Sequence, residues 1–97
     1  MKNIFITMEG PDGAGKSTQI DLLKKYFESK DIEVVLTREP GGTRISEAVR
    51  EVILNKEYKE MDYKTELMLY TAARAQLVAE VIKRALLQGK AVICVRV

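Results

Sequence analysis

Gly10, Gly15, Lys16 and Ser17 stand at the spacing G-x-x-x-x-G-K-[ST], a pattern whose chemistry is the cradling of nucleotide phosphates. Each position has a physical task. Glycines allow backbone angles closed to other residues, so successive N–H groups can turn toward phosphate oxygens. Lys16 brings a compact positive charge to the terminal phosphates, and a hydroxyl such as that of Ser17 ligates Mg²⁺. A helix starting here would add the positive end of its dipole. A bare glycine-rich turn needs neither the lysine nor the hydroxyl at those offsets. The dinucleotide pattern G-x-G-x-x-G is not matched, because the glycines fall at Gly10, Gly13 and Gly15.

Such a loop has to lie between a strand and a helix, and the flanking sequence supplies both. Ile4, Phe5, Ile6, Thr7 and Met8 form a short apolar run of the buried, parallel-strand kind. Over 18–29, Ile20, Leu23 and Phe27 recur at helical spacing. A second β-branched run covers 32–37, and Pro40, Gly41 and Gly42 break it into a loop over 38–43. Thr43 can cap a helix whose apolar stripe is Ile45, Ala48, Val49, Val52 and Ile53. The polar stretch 55–62 reads as a surface connection. A long helix over 63–87, stopped by Gly89, precedes an apolar strand over 91–97. The order βαβααβ predicts an α/β fold with a parallel sheet and helices on both faces. Ligands of such sheets sit beyond the carboxyl ends of the strands. The phosphate loop, the 38–43 loop and Arg96 converge there.

A chain of 97 residues allows at most one small domain. A net charge of +2 with no clustered basic stripe argues against a nucleic-acid partner. No apolar run approaches the ~20 residues that cross a bilayer, and the N-terminus lacks a signal peptide's layout. A cytoplasmic location is therefore expected, without a membrane partner. With no histidine, Ser-His and Cys-His catalysis and histidine metal sites are excluded. Cys94, inside an apolar run, reads as a buried small hydrophobe.

Arg74 interrupts the apolar stripe of the long helix formed by Leu67, Tyr70, Leu77, Val78, Val81 and Ile82. An unpaired guanidinium is costly to bury, so it must reach water, a carboxylate or a ligand. Spacing alone leaves a structural pairing and a ligand cleft about equal. Tyr70, one turn earlier, could offer a ring on which a base stacks.

Three segments together resemble successive motifs of bacterial thymidylate kinases: Met8 to Gln19, Thr37 to Thr43 (Thr-Arg-Glu-Pro-Gly-Gly-Thr), and Tyr70 to Gln76. The resemblance runs from the first strand to the last. Many nucleotide enzymes share the phosphate loop, whereas the second segment is far more specific. The resemblance implies a three-layer P-loop kinase fold, truncated here after the third strand. The 97 residues would then be the N-terminal part of a single nucleoside monophosphate kinase domain, without its lid and later strands. It also implies transfer of the γ-phosphoryl group of Mg-ATP to dTMP, giving dTDP, by an enzyme that usually forms homodimers.

Position by position, the resemblance has Gly10, Pro11, Asp12, Gly13, Ala14, Gly15, Lys16, Ser17 and Thr18 hold the ATP phosphates, with Ser17 on the metal. Asp12 would meet the sugar 3′-hydroxyl of dTMP, Tyr70 would stack on thymine, and Arg74 would hydrogen-bond the base. Arg96 would bind the acceptor phosphate and, with Lys16, form the catalytic pair of cations. Arg38, Glu39 and Arg50 fall on the acceptor side, although surface pairing explains them nearly as well. Pro40 matches a family proline that follows a cis bond, but a trans turn is the commoner state.

Departures are equally legible. Gly13 replaces a loop-borne arginine found in some members, Val95 stands where the family has an acid, and the lid has no counterpart. Family members are about twice as long, which suggests truncation or a frameshift near Val95. The sequence thus predicts weak or absent turnover for these residues alone, and a bare edge on the first strand. Alternatives are another nucleoside monophosphate kinase, a non-catalytic nucleotide-binding fragment, or a fragment that does not fold.

Overall fold

A computed structural model describes residues 3–9 and 15–96. In chain order they form β1 (Ile4–Met8), α1 (Lys16–Ser29), β2 (Val34–Glu39), α2 (Arg44–Leu54) and α3 (Tyr63–Leu77). A π-helical segment, Val78–Ile82, leads into α4 (Lys83–Leu87), and β3 (Ala91–Arg96) follows. All strand pairs are parallel, in the order β1-β3-β2.

The last strand takes the centre because it can be buried on both sides. Ala91, Val92, Ile93 and Cys94 are wholly buried, and successive strand residues point to opposite faces. On one face Leu77, Ile82 and Ala85 from the long helix pack over Val92 and Cys94. α1 lies against β2, with Phe27 buried and Ile20 and Leu23 half-buried on the expected face. β1 pairs only with β3 among the described strands.

Several local expectations shift. β2 starts at Val34, because the Ile32 amide closes the end of α1 by donating to the Phe27 carbonyl. The same strand runs on to Glu39, since Arg38 and Glu39 pair with Val95 and Arg96. The loop is accordingly 40–43, and the Glu39–Pro40 bond is cis, where a trans turn was the default. α1 begins at Lys16, two residues ahead of the apolar periodicity. The long helix widens into a π turn over Val78–Ile82, a feature common near functional sites.

Thr43 caps α2 as its type suggests, its hydroxyl oxygen accepting from the Ser46 amide at 2.9 Å. The α2 stripe, however, is not simply core: Ile45 is 52% exposed, whereas its polar neighbour Ser46 is wholly buried. Among the described residues no helix is long and apolar enough to cross a membrane.

Candidate functional site

Parallel pairing brings three charged residues into one row at the carboxyl ends of the strands. Glu39 ends β2 and Arg96 ends β3, and their Cα positions are partners in the ladder. Glu9 directly follows β1. Arg96 donates from Nε to Glu39 Oε2 and from Nη1 to Glu9 Oε1, each at 2.8 Å. Arg74 reaches the same carboxylate from α3, with Nε on Oε1 and Nη2 on Oε2, again at 2.8 Å each. Glu9, Arg96, Glu39 and Arg74 form a chain of alternating charge across three strands and a helix. Glu39, followed by Glu9, raises the Arg96 pKa above its ordinary value, so the guanidinium stays charged.

These groups stand beside a cleft of about 260 Å³. Glu39, Arg74 and Arg96 supply its charge, while Phe5, Val78 and Ile82 supply an apolar wall. Two fixed cations beside an apolar wall suit a ligand that is flat and apolar at one end and anionic at the other. Of the readings of Arg74 left open by the sequence, the carboxylate pairing is the one realised, and the paired guanidinium also borders this cleft.

Arg38 and Arg50 go elsewhere. Arg38 forks onto Glu47, its Nε donating to Oε2 at 3.1 Å and its Nη2 to Oε1. Oε2 of Glu47 also accepts from the Gly42 amide at 2.7 Å, and Arg50 Nη1 donates to the Pro40 carbonyl at 2.9 Å. Both arginines therefore brace the 40–43 loop and border a shallow groove separate from the cleft. The Arg38 hydrogen bond and the Gly42 amide hold the Glu47 pKa down at about 2. Gly42 has φ 93°, and a Cβ there would run into Thr37 Oγ1 and stand 2.6 Å from Leu77 Cδ1. Only glycine fits that approach.

On the donor side, Gly10, Pro11, Asp12, Gly13 and Ala14 lie outside the described residues. Gly15 precedes α1 with φ 83°, in the left-handed region glycine favours, and among the described residues no side chain caps the helix. Lys16 opens α1 and is buried, with Ser17 and Thr18 exposed beside it. A helix that starts at a glycine with a lysine as its first residue fits an anionic group such as a phosphate. Tyr70 is at the surface and does not line the cleft. Val95 is half-buried on β3, in register with Met8 and Arg38.

Glu9 and Glu47 are the participants sequence reasoning missed. The signal for Glu9 is its place one residue beyond β1, which becomes informative only once β3 is known to lie next to β1. Cys94 is buried as expected; burial, with a smaller push from Glu39, raises its thiol pKa to about 12.

The family model described as thymidylate kinase matches residues 8–97. The thymidylate kinase of Exiguobacterium sibiricum is 54% identical over 99% of this chain, which covers 45% of that relative. That of Pseudomonas fluorescens is 56% identical over 99% of the chain and 46% of the relative. The crystal structure of thymidylate kinase from Ehrlichia chaffeensis superposes with a TM-score of 0.78 at 42% identity, covering 97% of this chain and 53% of that one. The chain thus spans about 45% of the length of the first of these curated relatives. With a family model matched over nearly all its residues and a parallel α/β core shared with a solved member, the chain belongs to the thymidylate kinase family.

Proposed function

We propose that this chain supplies the phosphate loop and the acceptor side of a dTMP kinase, which moves the γ-phosphoryl group of Mg-ATP onto dTMP to give dTDP. One observation carries the reading: Arg74 and Arg96, from separate elements, meet at one cleft whose apolar wall is Phe5 of β1 with Val78 and Ile82 of the π-helical segment. Arg74 recognises the base, and Arg96 holds the acceptor phosphate in line and offsets repulsion between the two anions. The family resemblance gives Tyr70 to thymine, although its ring stands at the surface outside the cleft, and gives Asp12 to the sugar hydroxyl. Glu39 acts on the acceptor side through the arginines, and Arg38 and Arg50 act there by bracing the 40–43 loop.

Mg-ATP supplies the transferable phosphoryl group, with the metal neutralising charge on the phosphates. The segment Gly10 to Thr18 would hold those phosphates, Lys16 drawing charge off them and Ser17 ligating the metal. The acceptor is itself an ionised phosphate monoester, so positioning and charge stabilisation carry the reaction without a strong general base.

ADP formation from ATP, with and without dTMP, tests this reading. The expected result is ADP release that is slow but dTMP-dependent, together with ATP binding that disappears in Lys16→Ala. Release that ignores dTMP and other pyrimidine monophosphates overturns it. A second reading, phosphate binding without turnover, is favoured by Val95, where the resemblance places an acid. ATP binding without any dTMP-dependent turnover would select it.

The reading extends to a homodimer in the cytoplasm. Support for the dimer is an open groove of about 420 Å³ on which Ile45 and Val52 of α2 stand exposed beside half-buried Val49 and Leu69. Sedimentation that finds only monomer at high protein concentration removes that part.

A further inference from the structure

Resting on that reading of the cleft, we propose that Glu39 is a positioning residue that couples Arg74 to Arg96. The base end and the phosphate end of a pyrimidine monophosphate are then recognised together, not as independent contacts. The two arginines share one acceptor atom: Oε2 of Glu39 takes Arg74 Nη2 and Arg96 Nε at 2.8 Å each. Oε1 takes Arg74 Nε at 2.8 Å. A carboxylate that accepts two parallel N–H bonds fixes the plane of the guanidinium as well as its place.

Glu39 is suited to act as the fixed member. Its side chain is 11% exposed, and its backbone sits in the ladder opposite Arg96. Arg74 is half-exposed on a different element and carries a long side chain that would otherwise sample many rotamers. Holding both guanidinium groups in advance removes an ordering cost that binding would have to meet. Glu9 steadies Arg96 from its other end.

Direct ligand contact is the weaker role for this residue. Its two oxygens already take three N–H donors, and a carboxylate repels a phosphate. Glu39 therefore acts through the arginines. A ligand that pulls on one guanidinium moves the shared oxygen and alters the hold on the other.

Arginine Nε–H signals of the ligand-free chain in ¹⁵N–¹H spectra read this directly, since both Nε atoms donate to Glu39. Arg74→Lys is expected to shift the Arg96 Nε–H signal, because both side chains donate to Glu39 Oε2. In the Glu39→Gln background, the same Arg74→Lys change should leave the Arg96 signal still. An Arg96 signal that ignores Arg74→Lys while Glu39 is present overturns the proposal. Should Glu39→Gln fail to fold, Glu39→Asp keeps the charge on a shorter stem. It should free Arg74 while retaining Arg96, so that the Arg96 signal again ignores Arg74→Lys.

Binding of thymidine monophosphate gives a second readout. Arg74→Lys and Arg96→Lys should combine non-additively, by threefold or more in Kd, with Glu39 present and additively in the Glu39→Gln background. Additivity in both backgrounds overturns the coupling. If thymidine monophosphate does not bind the unsubstituted chain, the cleft reading fails, and the ligand-free spectra still decide the coupling.

Discussion

The hydroxyl of Ser46 donates to the Ala73 carbonyl oxygen at 2.7 Å, fastening the first turn of α2 to the residue just before Arg74. Both residues are buried, and the Thr43 hydroxyl donates to Ser46 Oγ at 2.8 Å, so the cap of α2 joins the same line. Through these bonds the 40–43 loop, α2 and the Arg74 turn of α3 hold one arrangement.

Ser46→Ala should therefore destabilise the chain by about 1–3 kcal/mol, the usual effect of losing a buried hydroxyl with partners on two sides. Urea titration followed by circular dichroism measures it. A change under about half a kcal/mol would mean that the cap and the helix pair hold without this bond.

Ser46 also shows where sequence patterning stops. Periodicity identified the α2 face carrying Ile45 and Val52 as apolar, and the structure leaves much of it uncovered while burying the serine beside it. A hydrophobic stripe says that a face is apolar, not what covers it. The strands were more legible, because a parallel strand reads as a continuous apolar run; Ile4–Met8 matches its expected span, although its residues are half-buried or exposed, not buried, because β1 pairs on one side only among the described strands. The Glu39–Arg96 pair was not, because it depends on β3 entering between β1 and β2, and strand order leaves no local trace. Arg38 and Glu39 are adjacent in sequence yet have different partners, because alternation along β2 sends them to opposite faces.

Gly42→Ala should destabilise the chain by about 2 kcal/mol or more. A methyl group there is strained by φ 93° and meets Thr37 Oγ1 and Leu77 Cδ1 well inside contact distance. Leu77 is wholly buried and Thr37 sits in the sheet, so neither yields easily. For a domain of this size each kcal/mol moves Tm by roughly 4–8 °C, so a thermal scan detects the effect readily. An unchanged Tm would contradict the close approach of the loop to α3.

Cys94 should be inert to thiol reagents in the native chain and reactive once urea exposes it. The thiolate is the reactive form, and burial holds the thiol pKa up at about 12, leaving little thiolate near neutrality. Timed reaction with a chromogenic disulfide distinguishes the two states. Rapid native modification at neutral pH would place Cys94 at the surface, against its burial in β3.

The Glu47–Arg38 pair predicts an acid-sensitive part of the stability. The Glu47 pKa is about 2 in the folded chain, against an ordinary value of 4.5. A carboxyl group depressed by folding stabilises the native state above its unfolded pKa. As pH falls from about 4.5 toward 2, the unfolded chain takes up the proton first and that contribution is lost. Glu47→Gln should therefore be less stable than the unsubstituted chain near neutrality, and the gap should narrow as pH falls through this window. The side chains of the pair are 51% and 38% exposed, so added salt should shrink the neutral-pH gap as well. Urea midpoints for both proteins from pH 6 to 2, at low and high salt, measure these changes. A gap constant with pH would assign the effect of the substitution to lost packing, not to the charge on Glu47.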